Sequence, residues 1–137
     1  MPNFNPIFTR VPRSAWATIT AANTAKDGTG TTLLVGTADA VEGAMFGDIL
    51  CEPLGTNVAS VLRVFLNNGS TPATAANNSL IGQISLPATT LSETTTATMQ
   101  QVERIFSKPI PPGYRIYVCL ATAVAAGWQV TAGLGDY

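Results

Sequence analysis

Thr56-Asn57-Val58-Ala59-Ser60-Val61-Leu62-Arg63-Val64-Phe65-Leu66-Asn67 is the stretch that decides the fold class. Read with a period of two, it sets Val58, Ser60, Leu62, Val64 and Leu66 on one face and Val61, Arg63 and Phe65 on the other. Such alternation belongs to a half-buried strand, and the β-branched and aromatic side chains suit a pleated surface. The run stops at Asn67-Asn68-Gly69, residues that tolerate the positive φ of a tight turn.

The same pattern repeats outward in both directions. Upstream, candidate strands cover Ala15–Ala21, Thr31–Thr37 and Ala44–Pro53, with Lys26-Asp27-Gly28-Thr29-Gly30 as a turn cluster. In the first, Trp16, Thr18 and Thr20 oppose Ala15, Ala17 and Ile19; in the third, Met45, Ile49 and Cys51 oppose Phe46, Asp48, Leu50 and Glu52. Downstream, Ser79–Leu86, Gln100–Phe106, Tyr114–Ala121 and Gly127–Ala132 read as strands. Between them lie a small-residue loop (70–78), a threonine-rich loop (87–98) and a proline-rich turn (108–113). About eight short strands without sustained helical period predict an all-β, antiparallel sandwich or jelly roll. Residues 14–137 make that single domain. Residues 1–13 form an extended arm, because Pro2, Pro6 and Pro12 fix φ and disfavour helix before them.

Composition narrows the function. Hydrophobic residues make up 46% of the chain and charged residues 11%, against about 25% charged in an average domain. Few charges mean little electrostatic defence against association, which suits a subunit covered by neighbours. The seven cations are scattered and the net charge is −1, so no basic face exists for nucleic acid. No signal peptide and no apolar run of about 18 residues is present, so no membrane role is expected.

Chemistry is hard to assemble. The chain has no histidine, the commonest general base and metal ligand. Cys51 and Cys119 sit singly in apolar runs rather than at metal-ligand spacing. They read as buried thiols, with a disulfide left open. Asp48 and Glu52 share a strand face, but i and i+4 on a strand lie about 13 Å apart. That is too far for a paired-carboxylate mechanism or a calcium site alone. The expectation is therefore no enzyme, no cofactor and no metal.

Candidate interaction residues remain. In the arm, Phe4, Ile7 and Phe8 need cover, from their own domain or from a neighbour, and Arg10 and Arg13 stand ready to meet acidic groups there. Arg63 and Arg115 each interrupt an apolar strand. Each either lays its stem along an outward face or pairs across subunits with Asp48, Glu52 or Glu103. Trp16 and Trp128 read as packing or interface residues before sugar-stacking platforms.

Two stretches carry a resemblance. One is Pro53-Leu54-Gly55-Thr56-Asn57-Val58-Ala59-Ser60-Val61-Leu62-Arg63-Val64-Phe65-Leu66-Asn67-Asn68-Gly69. The other is Pro111-Pro112-Gly113-Tyr114-Arg115-Ile116-Tyr117-Val118, with Gly127-Trp128-Gln129-Val130-Thr131-Ala132 and the final Gly135-Asp136-Tyr137. Together they span the C-terminal two-thirds of the chain, and they resemble small virion structural proteins of tailed bacteriophages, in particular capsid decoration (cement) proteins. The resemblance implies a jelly-roll or sandwich subunit in the virion, a homotrimer, and the major capsid protein as partner. A tail or baseplate component is the alternative within that class, and a carbohydrate-binding adhesin module the alternative outside it.

Overall fold

Leu62 and Val64 alternate inward with no exposed surface, and the sandwich is built around such positions. The computed structural model describes residues 9–94 and 101–137. Its strands are β1 (Val11–Ile19), β2 (Leu33–Thr37), β3 (Ala44–Pro53), β4 (Ser60–Asn67), β5 (Asn78–Leu86), β6 (Val102–Ile110), β7 (Arg115–Leu120) and β8 (Trp128–Asp136). The helical content of the described residues is one 3₁₀ turn, Ala75–Asn77.

The strands form two four-stranded antiparallel sheets, ordered β1-β8-β3-β6 and β2-β7-β4-β5. Every chain connection except β4 to β5 crosses from one sheet to the other. That wrapping is the double Greek key of a jelly roll. Phe46, Ile49, Ile116, Val118, Trp128 and Val130 are fully buried between the sheets, each contributing about 1.5–3 kcal/mol by leaving water.

Several boundaries differ from the sequence expectation, each for a physical reason. β1 begins at Val11, so Val11, Pro12 and Arg13 of the expected arm already pair with Asp136, Gly135 and Leu134. β6 likewise runs through Lys108 and Pro109, where a turn was expected. Both strands are sheet edges, where a missing proline N–H costs the ladder nothing. In β3, register shifts between Phe46 and Asp48. The extra residue, Gly47, turns Phe46 inward beside Ile49 and Cys51 and away from Asp48, Leu50 and Glu52.

β4 starts at Ser60 rather than Thr56, because Asn57 is held elsewhere. Its Oδ1 accepts from the N–H groups of Ala126 and Gly127 at 3.0 and 2.9 Å, and its Nδ2 donates to the Gly127 carbonyl at 3.0 Å. Cys51 and Cys119 are free and buried. Burial alone pushes the Cys51 thiol up to about 12. Burial also raises Cys119, against the opposing pull of the nearby Arg63 guanidinium.

Candidate protein-interaction surface

The two outer faces of the sandwich are treated differently by the chain. The β1–β2 connection folds across the outside of the β2-β7-β4-β5 sheet. Ala22 bridges Leu120, and the Asn23 N–H donates to the Leu120 carbonyl at 2.7 Å. The Asn23 side chain then ties the loop to itself, its Nδ2 donating to the carbonyls of Thr29 and Thr31 at 2.7 and 2.9 Å. Farther along, the Asn78 Nδ2 donates to the Asp27 carbonyl at 3.1 Å. Phe65, Cys119 and Arg63 face outward on this sheet, yet all three are buried.

The outside of the β1-β8-β3-β6 sheet has no such cover among the described residues. Register places Trp16, Thr131, Leu50 and Glu103 in one row across the four strands. Ser14, Gly133, Asp48 and Ile105 form the row on one side, and Thr18, Gln129 and Glu52 the row on the other. At about 4.8 Å between strands, each four-residue row spans about 14 Å. Trp16 is 65% exposed and Ile105 72%. A Cβ on Gly133 would overlap Asp48 Oδ1, so the glycine leaves room for that carboxylate. None of the chain's seven cations falls in these rows. Among the described residues, Asp48, Glu52 and Glu103 are in no ion pair. The face carries exposed apolar side chains on its two edge strands, Trp16 and Ile105, with half-buried Leu50 and the acids Asp48, Glu52 and Glu103 across and beside them.

The residues singled out from sequence are not brought together. Phe4, Ile7 and Phe8 lie outside the described residues. Arg10 pairs with Glu42 at 2.9 Å, and Arg13 pairs with the buried Asp136. Both arginines were expected to meet a neighbour's acids, but β1 lies along β8 and delivers them to acids of their own chain. Arg63 is 8% exposed, its Nη1 donating to the Asn23 carbonyl at 3.3 Å. It is enclosed under the β1–β2 loop and so is not presented to another subunit. Arg115 is half-buried at the start of β7, beside Thr37 and Asn67.

Sequence reasoning passed over Ile105, Leu50 and the joint acidity of the face. The alternation of β1 and β6 did separate Trp16 from Ile19 and Ile105 from Phe106, but it could not show that the two strands share one sheet.

No protein-family model and no curated protein matches the chain. Among solved structures, a chain described as "Structure of infectious bursal disease virus Gx strain" is similar at 12% identity and a TM-score of 0.35. The match covers 98% of this chain and 35% of that one, so this chain spans 35% of its neighbour's length. A likeness this weak carries no functional weight.

A shallow cleft of about 430 Å³ opens between the edge strands β1 and β2, with Arg13, Ala15, Leu34 and Leu134 in its walls. Among the described residues, no group of three His, Cys, Asp or Glu side chains is gathered to hold a metal ion, and no helix is long and apolar enough to cross a membrane.

Proposed function

We propose that this chain is a virion structural protein, a decoration (cement) subunit that binds the assembled head of a tailed bacteriophage. The observation that supports the reading is the asymmetry of the two faces. One is partly covered by the chain's own loop, which buries Arg63, Phe65 and Cys119. The other, among the described residues, leaves Trp16 and Ile105 exposed and Leu50 half-buried beside three carboxylates in no ion pair. Exposed large apolar side chains set among polar and acidic groups on one face suit a protein-binding surface. The acids call for a shell surface that presents cations. In this reading the chain performs no chemistry and works by mass action: binding the assembled shell alone stabilises that state in proportion to occupancy.

The test is co-sedimentation of the purified chain with undecorated heads, with tails and with unassembled capsid subunits. Retention by heads alone, reduced by Ile105→Lys and by high salt, is the expected result. Retention by tails instead would move the protein to the tail or baseplate.

One observation favours a carbohydrate-binding reading. Trp16 is exposed near a Thr18 hydroxyl that donates to Gln129 Oε1 at 3.1 Å, an aromatic beside polar groups. Binding of the chain to immobilised host glycans, abolished by Trp16→Ala, would establish it.

A further inference from the structure

We propose that β1 is the edge through which two copies of this chain join, strand to strand and antiparallel, about a two-fold axis at Trp16. The two open sheets have four edges: β1 and β6 in one, β2 and β5 in the other. Three are blunted. β2 has five residues and breaks register between Leu34 and Gly36. β5 breaks register opposite Val64 and Phe65. β6 breaks register opposite Phe46 and Asp48, puts Ser107 at φ 46°, and carries Lys108 and Pro109. Bulges, charges and prolines of this kind turn an edge away from partners.

β1 differs. It pairs with β8 without a break over nine residues, and from Ser14 to Ile19 it carries neither charge nor proline. Among the described residues its far side is a row of main-chain groups with no strand paired to it, β2 of the other sheet packing nearby.

Self-complementarity selects a second copy as the occupant. Antiparallel pairing centred on Trp16 sets Trp16 against Trp16, Ser14 against Thr18 and Ala15 against Ala17. The indoles and hydroxyls then meet on the outer face, as cross-strand pairs that stabilise sheets. The alanines meet on the inner side and let the two sandwiches approach. Pro12 falls outside the ladder in that register. No unpaired charge is repeated across the axis, because Arg10 and Arg13 are already paired with Glu42 and Asp136. The cleft between β1 and β2 opens along this same edge, and the copy's strand closes it. Two four-stranded sheets become one continuous sheet, which doubles the acidic outer face. This two-fold replaces the three-fold that the resemblance implies. It concerns the isolated chain, so it and the shell-binding reading fail separately.

The full chain is tested by light scattering and by disulfide trapping, the buried Cys51 and Cys119 staying out of reach. Trp16→Cys places two sulfurs directly across the axis, within trapping distance. Thr18→Cys places them about 13 Å apart along the strands. Ser14→Cys with Thr18→Cys brings them together again.

The expected results are a dimer mass for the wild type and a monomer for Trp16→Lys, with an unchanged far-ultraviolet spectrum. Covalent dimers should form from Trp16→Cys and from the double variant, but not from Thr18→Cys alone. A monomeric or trimeric wild type, a dimer that survives Trp16→Lys, or equal trapping through Thr18→Cys would overturn the proposal.

Discussion

Arg63 shows how far one side chain can depart from its apparent purpose. Its Nη1 reaches the Asn23 carbonyl, its Nε has no hydrogen-bond partner, and its stem fills space beneath the β1–β2 loop. If packing is what it supplies, Arg63→Met should change stability by less than about 1 kcal/mol, because an apolar side chain of similar volume can replace a buried charge. Arg63→Ala should cost about 2–4 kcal/mol by opening a cavity. Urea unfolding of the two variants decides between packing and charge. Cys51 gives a pH signature. Its thiol ionises near 9.0 when unfolded and at about 12 when folded. The stabilisation is full below pH 9. Above that the unfolded chain releases a proton that the folded chain keeps, so stability falls as pH rises toward 12, by up to about 1.4 kcal/mol per pH unit. Cys51→Ala should flatten the fall relative to wild type, read from urea midpoints across that range.

At the scale of elements, the β1–β2 loop is anchored across its sheet chiefly around Asn23. Asn23 donates twice to loop carbonyls and accepts from the Ala25 N–H at 3.0 Å. Asn23→Ala should therefore cost about 1–3 kcal/mol, with amide exchange accelerating in the loop and at Arg63 more than in β8. Uniform acceleration would contradict a local role. The strands were most legible where a two-residue period runs unbroken, as in β8, and less so in β2 and β3, which register shifts interrupt. Their ends were not, since Pro12 and Pro109 are tolerated only where a strand is an edge, and edges are a property of the assembled sheet. The bulge at Gly47 was hidden for a related reason: two residues opposing one is a fact about the partner strand. Whether the outward face holding Arg63 is open or covered was not legible, because only the fold reveals which loop covers which sheet. The uncovered face was half legible, through Trp16 opposite Ile19, while its continuation through Leu50 to Ile105 needed the strand order.

For the whole molecule, the arm can be cut in two places with different results. Removing residues 1–8 keeps all of β1 and both arginine pairs, so the shortened chain should still unfold cooperatively as the β domain, read by thermal unfolding. Removing residues 1–13 also strips three residues from β1 and leaves the buried Asp136 without Arg13, which should cost about 2–4 kcal/mol. If only the longer deletion weakens attachment to heads, the strand supports binding through the fold. If the shorter one does so as well, Phe4, Ile7 and Phe8 make contacts of their own. Electron microscopy of particles labelled with gold-tagged antibody against this chain tests the proposed seat on the shell: gold should be distributed over the head surface, and gold confined to the tail or baseplate would overturn the proposal.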